Sequence, residues 1–336
     1  MRKVTSAGIL VADLIAADLP KVSQPGEITF TPRPVEIHIG GHAANVSADL
    51  MKLGMRPGEV TCLGAVGNDP FGDFFEQTLT RHRISVKLQR TSAARTSVDL
   101  ILVVKGEDRR YHCDVGANDE LDPDFVLRAV KKEPPWLFNA GGAGLMAKVD
   151  RNLAKLLKEI KKLGSVTFLS PVMPHGRSWD FLRKALPWID IFHCNDVEAS
   201  SLTGQKDRRR AIKTLMAWGP RLVLVSRGAE GVVAADYNRL LTMNAFRVRT
   251  LDPTGAGDAF CAGFIRTAVR RFEAAGTRSL DWDDEILTEI LVEAQAAGAA
   301  CVTGIGTTSA VTRKAVNQLK AGQGDRVRRT LRILSI

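Results

Sequence analysis

Residues 251–260 place an acid directly behind a turn of small residues, between two kinds of periodicity. Apolar residues alternate with arginines over residues 246–250, which predicts a strand, and recur at helical spacing from Ala259 onward. The turn Gly255-Ala256-Gly257 would therefore open a helix, where unpaired N–H groups and a partial positive charge attract a phosphate. Asp258 would then lie beside the bound anion, a placement that suits a base taking a proton from an attacking hydroxyl. The stretch predicts phosphoryl transfer to an alcohol.

The same turn also has a less specific interpretation. Gly-x-Gly turns before helices are common, and Asp258 could be only a first-turn acid that interacts with the helix dipole. The two interpretations differ in what faces the carboxylate. A catalytic base needs an open cleft in front of it.

The overall charge favours an anionic ligand. The chain has 336 residues, 45% of them hydrophobic, enough for a large core, and no apolar run of membrane-spanning length. Its net charge of +10 suits nucleotides and would also suit nucleic acid. Much of the excess lies in Arg208–Arg210 and in a tail with four arginines, and such runs are usually solvated faces. With 6% aromatic residues and no stacking motif, we predict neither a nucleic-acid nor a membrane partner.

The cysteines and histidines indicate no metal centre. The five cysteines are dispersed, odd in number and contain no C-x-x-C pair, and the six histidines show no ligand spacing. This pattern predicts reduced thiols in a cytoplasmic protein, not a disulfide framework or a zinc site.

Strand-like and helical segments alternate along most of the chain, which is typical of a parallel sheet with helices on both faces. The predicted strands cover residues 4–11, 60–66, 136–139, 166–169, 189–193 and 222–225. The predicted helices include residues 43–53, 70–79, 153–163, 284–302 and 312–321. The sequence thus predicts an α/β fold with a doubly wound, mostly parallel sheet.

Two segments interrupt this alternation. Residues 14–39 contain four prolines and no helical period, and residues 96–113 alternate as strands around Lys105–Asp108, a predicted hairpin turn. The two segments could form one small β-sheet beside the α/β core, or two independent surface hairpins.

Two motifs resemble those of a known family. Residues 252–260 resemble the C-terminal signature D-T-x-G-A-G-D-x-F of the ribokinase-like (PfkB) carbohydrate kinases, with Pro253 where threonine is usual. Residues 40–46 resemble the family's N-terminal motif G-G-x-x-x-N. The motifs stand in the family's order, and the resemblance covers essentially the whole chain. It implies an ATP-dependent kinase that uses ATP and Mg²⁺ to phosphorylate a hydroxyl of a sugar or polyol.

The resemblance also assigns roles to matching positions. Asp258 would be the general base, and the turn Gly255, Ala256 and Gly257 would hold the transferred phosphate. Glu198, in an N-x-x-E motif, would act on Mg²⁺ through water. Asp252 and Thr254 would help to bind a monovalent cation such as K⁺.

Ligand contacts follow in the same way. The positions that match nucleotide contacts are Asn195, Ser226, Gly228 and Gly231. The positions that match acceptor contacts are Asp13, Gly41 and Asn45. Small residues at 296–302 and 304–307 would line the adenine pocket, and the role of Gly116-Ala117-Asn118, a G-A-N element near the lid in several relatives, stays open.

Several of these positions have an ordinary structural explanation as well. N-x-x-E is also a helix-capping box, and the glycines after Ser226 also suit a hairpin. Asp13 could simply end the first strand, and Asp252 could cap the following helix.

For domain organisation, the resemblance implies a nucleotide-binding α/β domain from residues 1–12, 40–95 and 114–336. Residues 13–39 and 96–113 would form a β lid over the acceptor site, and a homodimer would form through this lid.

The acceptor is left open. His42 stands where ribokinases have lysine, which puts ribose itself in doubt. A nucleoside kinase would need an apolar platform such as Phe30, and a sugar-phosphate kinase would need a basic cluster such as Arg95, Arg109 and Arg110. A non-catalytic ligand-binding homologue is the remaining alternative.

Overall fold

The computed structural model describes residues 3–107 and 109–335. The strands are β1 (Val4–Gly8), β2 (Val11–Leu19), β3 (Glu36–Gly40), β4 (Val60–Gly67), β5 (Ser85–Thr91), β6 (Val98–Val104), β7 (Arg110–Asp114), β8 (Leu137–Ala143), β9 (Val166–Pro171), β10 (Ile191–Asn195), β11 (Leu222–Ser226), β12 (Val232–Ala235), β13 (Arg239–Met243) and β14 (Arg332–Ser335). The α-helices are α1 (His42–Lys52), α2 (Pro70–Arg81), α3 (Pro123–Lys132), α4 (Ala147–Lys162), α5 (Asp180–Ala185), α6 (Asp196–Thr203), α7 (Arg208–Ala217), α8 (Ala256–Ala275), α9 (Asp284–Cys301) and α10 (Arg313–Arg328).

The large sheet has ten strands in the order β14-β13-β12-β11-β10-β9-β8-β1-β4-β5. Every neighbouring pair from β11 to β5 is parallel, and β12, β13 and β14 extend the sheet in antiparallel fashion. This arrangement confirms the predicted doubly wound, mostly parallel sheet.

Each face of the large sheet packs against its own set of helices. Helices α1, α2, α8, α9 and α10 contribute to one hydrophobic core, and α3 to α7 contribute to the other. Because successive side chains of a strand point to opposite faces, Leu222 and Leu224 of β11 enter the first core and Val223 and Val225 the second. Across residues 3–107 and 109–335, no helix combines the length and apolarity needed to cross a membrane.

A separate four-stranded sheet, here called the small sheet, has the order β3-β2-β6-β7. Strands β2 and β6 pair in parallel and join the two predicted extended segments. The prediction of one small sheet is confirmed, and the alternative of two independent hairpins is wrong. Of the predicted turn between β6 and β7, Asp108 lies outside the described residues.

The prediction of one strand over residues 4–11 is wrong. Strand β1 ends at Gly8, and the chain crosses at Ile9 and Leu10 into β2 of the small sheet. Buried Asn118 fixes this crossover because its side chain accepts from the N–H of Leu10 (2.9 Å) and donates to its carbonyl (3.0 Å). Asp13 therefore does not end the first strand but lies within β2. Asn118 belongs to the Gly116-Ala117-Asn118 element, so the structure gives this element a role in fixing the crossover.

The prediction of a strand over residues 246–250 is also wrong. Strand β13 ends at Met243, and no ladder continues beyond it. The N–H and carbonyl of Arg247 bond to the side-chain amide of Gln323 in α10, each at 2.9 Å. A side chain thus satisfies backbone groups that a neighbouring strand would otherwise pair.

We predict that Asn118→Ala lowers the free energy of unfolding by about 2–4 kcal/mol, because it leaves two buried peptide groups without partners. Urea unfolding measures the change. Asn152→Ala, which removes an exposed side-chain bond to the Lys148 carbonyl, is the control and should change it by less than about 0.5 kcal/mol. Equal effects of the two substitutions would contradict the role of Asn118 at the crossover.

Candidate active site

The small-residue turn forms the N-terminus of α8, as predicted. Gly255 adopts the left-handed conformation (φ 78°), and a Cβ there would lie 2.5 Å from the carbonyl oxygen of Thr307. Within the described chain, the N–H groups of Gly255, Gly257 and Asp258 form no hydrogen bond, whereas that of Ala256 donates to the Pro253 carbonyl at 3.3 Å. Three donors thus stay open to an anion, and Ala256 instead helps to close the turn.

The carboxylate of Asp258 is held from both sides. Its Oδ1 lies 2.7 Å from Nδ1 of His42, and its Oδ2 accepts from Nδ2 of Asn45 at 2.7 Å. Burial raises the pKa of Asp258, but the charge and hydrogen bond of His42 and the hydrogen bond of Asn45 outweigh it and hold the pKa below its usual range. The side chain is 20% exposed, so an ionised carboxylate remains accessible.

Helix α1 supplies both partners of Asp258. His42 and Asn45 lie three residues apart, and hence on one face of the helix. The side-chain oxygen Oδ1 of Asn45 also accepts from the Thr307 hydroxyl at 2.8 Å. Asn45 therefore orients the carboxylate, a role that the sequence analysis missed, while its contact with the acceptor stays a prediction. The shared helical face of His42 and Asn45 was the available signal.

Asp13 is buried in β2 and lies close enough to Asp258 for the two carboxyl groups to interact. A Cβ on Gly40 would lie within 2.3 Å of its carboxylate, so glycine makes room for this acid. Burial and then repulsion from Asp99, Asp258 and Asp252 raise the pKa of Asp13 to about 8. The predicted contact residue Gly41 is the N-cap of α1 and directly follows Gly40, the glycine that makes room for this carboxylate. A buried acid without a cationic partner suits neutral hydroxyl donors.

A cavity of about 370 Å³ reaches the N-terminus of α8, where Ala256 and Gly257 line it. The β11–β12 hairpin contributes Ser226, Gly228 and Gly231, as predicted for the nucleotide site, so hairpin and cavity wall coincide. The remaining wall includes Gly257 and Phe260 of α8 together with Gln295, Gly298, Ala299 and Val302. Of the residues expected around adenine, none of 304–307 lines the cavity, and Thr307 lies between Gly255 and Asn45. Asn195 does not line the cavity.

Asn195 and Glu198 form the capping box that was the alternative explanation of N-x-x-E. Each side chain bonds to the other residue's N–H at 2.8 Å. Burial raises the pKa of Glu198 to about 7 and the Asp258 charge adds to it, although the Asn195 N–H and His42 oppose it. A nearby cation would stabilise this carboxylate. Mg²⁺ keeps several waters and needs few protein oxygens, so the residues present fit a water-mediated role for Glu198.

Asp252 and Thr254, the residues predicted to bind a monovalent cation, contact Arg109. Nη1 of Arg109 lies 2.5 Å from Oδ1 of Asp252 and also donates to the Thr254 hydroxyl. Tyr111 of β7 bonds to the same hydroxyl at 3.0 Å. Burial raises the pKa of Asp252, but bonds from Thr254 and Gly306 and the charge of Arg109 hold it below its usual range.

Comparison with known proteins identifies the family of the chain. The sequence profile of the pfkB family carbohydrate kinases matches residues 1–314. A fructokinase from Klebsiella pneumoniae is 30% identical over 289 residues, which cover 82% of this chain and 89% of the fructokinase. Ribokinase from Giardia lamblia superposes with a TM-score of 0.82 at 23% identity, over 96% of this chain and 99% of that protein. Fructokinase from Xylella fastidiosa, solved with bound ATP, superposes with a TM-score of 0.81 at 23% identity, over 96% and 100%.

The chain therefore belongs to the pfkB family of carbohydrate kinases, and its fold is ribokinase-like. It is a kinase of the class that acts on carbohydrates or nucleosides. The family predicted from the two motifs is confirmed.

We predict that Asp13→Asn stabilises the ligand-free protein at high pH. Because the folded-state pKa is about 8 and the unfolded one about 4, the folded state holds a proton that the unfolded state has released between these values. Wild-type stability should therefore fall as pH rises from about 4 to about 8 by this contribution, and the asparagine variant should lack it.

Urea unfolding across this pH range measures the effect. The control is Glu107→Gln, which removes an exposed acid next to the small sheet that pairs with Arg110. A wild-type protein whose advantage over Asp13→Asn grows with pH would show that Asp13 is ionised in the folded state and would overturn the prediction.

Proposed function

We propose that this protein is an ATP-dependent kinase that phosphorylates a hydroxyl of a neutral sugar or polyol. The observation that supports this most directly is the position of Asp258, ionised, accessible and adjacent to the open N–H groups at the end of the cavity. A first-turn acid that only satisfied the helix dipole would not need bonds from both His42 and Asn45.

In the proposed reaction, ATP occupies the cavity with its γ-phosphate at the N–H groups of Gly255 and Gly257. The helix N-terminus stabilises the charge on the transferred group, which is the main task in phosphoryl transfer. Asp258 accepts the proton of the acceptor hydroxyl. As it does so, the hydroxyl oxygen bonds to the γ-phosphorus and the bond from this phosphorus to ADP breaks. His42 and Asn45 keep the carboxylate oriented, and Asp13 accepts hydrogen bonds from the acceptor's other hydroxyls.

Mg²⁺ bound to the ATP phosphates would neutralise charge on the leaving group. Glu198 would hold the metal's waters, and a dication would favour the ionised form of this carboxylate, whose pKa burial raises. Asn195 would support the site by capping α6.

A neutral acceptor fits the charges around Asp13 better than a sugar phosphate does. The charges of Asp99, Asp258 and Asp252 raise the pKa of Asp13 by repulsion, and the same charges would repel a second phosphate. Two of the arginines considered for a phosphate already have acidic partners: Arg109 bonds to Asp252, and Arg110 pairs with Glu107 at the surface. Phe30, the platform considered for a nucleoside, is 83% exposed. A nucleoside remains the second candidate.

The cytoplasmic location stays a prediction.

We predict that Asp258→Asn lowers kcat by roughly a hundred- to ten-thousandfold, since a general base contributes about that much, while ATP affinity changes little. Initial rates of ADP release and ATP titrations measure the two quantities. Asp124→Asn, which alters a first-turn acid of α3, is the matched control and should keep normal turnover. Turnover close to wild type in Asp258→Asn would remove the base from the mechanism.

The acceptor itself is identified by ADP release with a panel of sugars, polyols, nucleosides and hexose phosphates. Turnover with neutral sugars or polyols supports the proposal, and turnover confined to hexose phosphates contradicts it. ATP binding without turnover on a broad panel would favour a non-catalytic binding protein.

We further propose that a homodimer forms through the outer face of the small sheet. Leu14 is the cross-strand neighbour of Ile37 on one side and Leu100 on the other. Ile37 and Leu100 are about half exposed, at 51% and 48%. A contiguous exposed apolar patch on a sheet is typical of an interaction surface.

We predict that Leu100→Glu converts a dimer to a monomer, because the glutamate would place a charge in the apolar patch. Light scattering after size exclusion gives the mass. Leu334→Glu, at an exposed position of β14 in the large sheet, is the control and should leave the mass unchanged. A wild-type protein that is monomeric at high concentration contradicts this proposal.

A further inference from the structure

The loop that carries Asp252 and Thr254 leads directly into Gly255, so its charge acts on the anion-binding turn. We propose, building on the kinase function above, that Arg109 supplies the positive charge at this loop permanently. The protein would then require no monovalent cation. Arg109 is thus a positioning residue that acts through Asp252 and Thr254.

The carboxylate of Asp252 already accepts four hydrogen bonds. A carboxylate offers about four lone-pair sites. Oδ1 of Asp252 lies 2.9 Å from the N–H of Thr254, 2.6 Å from its hydroxyl and 2.5 Å from Nη1 of Arg109. Oδ2 accepts from the N–H of Gly306 at 2.9 Å. With three donors Oδ1 has no lone pair left for an ion, and Oδ2 keeps only one.

The hydroxyl of Thr254 is satisfied in the same way. It donates its proton to Asp252 and accepts from Arg109 and from the Tyr111 hydroxyl. A hydroxyl has one donor and two acceptor positions, so all three are in use. Oδ1 of Asp252 and the hydroxyl of Thr254 therefore have no position left for a monovalent cation while Arg109 is in place.

Arg109 is well suited to hold this position. Its side chain is 14% exposed and that of Asp252 is 10% exposed, so bulk water screens the pair little. The guanidinium lies 5.4 Å from the ring centroid of Tyr111, within reach of a cation–π interaction. An arginine stays protonated at any working pH and presents fixed donors, whereas a bound ion depends on its concentration.

The contact also joins the small sheet to the loop before α8. Arg109 directly precedes β7 of the small sheet and Tyr111 lies within it, whereas Asp252 and Thr254 belong to the loop before α8. The small sheet therefore delivers the charge. Substitution of Arg109 should affect kcat more than the affinity for ATP, because the turn contacts the transferred phosphate.

The test compares rates in buffers of equal ionic strength whose only monovalent cation is K⁺, Na⁺ or tetramethylammonium. We expect wild-type kcat to be the same in all three. Arg109→Ala should lose on the order of tenfold or more in tetramethylammonium, since weakened anion stabilisation costs at least that much, and K⁺ should restore part of the loss. Arg109→Lys, which keeps the charge, should respond less to K⁺. Arg110→Ala, the neighbouring exposed arginine, is the control and should behave as wild type.

A second measurement does not depend on turnover. The melting temperature of the ATP-bound protein should be equal in K⁺ and tetramethylammonium for wild type and should rise specifically in K⁺ for Arg109→Ala. A wild-type enzyme that K⁺ activates or stabilises overturns the inference, as does an Arg109→Ala variant with unchanged kcat and no response to K⁺. Absence of turnover with every acceptor would instead count against the proposed kinase function, and the melting experiment would still decide this one.

Discussion

The concentration of negative charge around one helix N-terminus is the constraint on which the structure depends. Asp258, Asp13 and Asp252 surround the start of α8, and Glu198 is close enough for its pKa to respond to Asp258. A nucleotide would bring still more negative charge to this point. The chain offsets it with the helix N-terminus, with His42 on Asp258 and with Arg109 on Asp252.

These acids fall into two groups. Asp258 and Asp252 have partners that hold their pKa values low, so both are charged before any ligand arrives. Asp13 is buried and Glu198 is partly buried, neither forms an ion pair within the described residues, and their pKa values are about 8 and about 7. Asp258 and Asp252 are therefore already ionised, as their roles require. Asp13 and Glu198 gain favourable partners only when hydroxyl donors or a cation bind. The ligand-free protein holds these two acids at a cost in stability.

Sequence reasoning identified what short segments encode. The turn before α8, the G-G-x-x-x-N helix start and the alternation of strands and helices each depend on residues within a few positions of one another. The same reasoning mistook residues 246–250 for a strand, because alternation cannot show that Gln323 rather than a neighbouring strand bonds the backbone.

Contacts between distant parts of the chain were beyond such patterns. Arg109 and Asp252 are 143 residues apart, and Asn45 and Asp258 are 213 apart. Arg109 was considered only as a phosphate ligand, and Asn45 only as an acceptor contact. Their partners depend on how the small sheet and α1 pack against α8, which no local pattern specifies. The residues of the site were thus largely predictable, but their mutual arrangement was not.

The attachment of the small sheet has a mechanical consequence. In the described chain it joins the core at Ile9–Leu10, after β3, before β6 and after β7, and Asn118 clamps the first of these junctions. A sheet tethered along one side moves most easily by rotation about that line. Asp13 lies about 10 Å along the strand from its junction and Arg109 about 17 Å from its own, at about 3.4 Å per residue. A small tilt would displace the guanidinium nearly twice as far as the carboxylate, and the bond from Arg109 to Asp252 therefore resists such a tilt at the end of the sheet that lies farthest from the junctions.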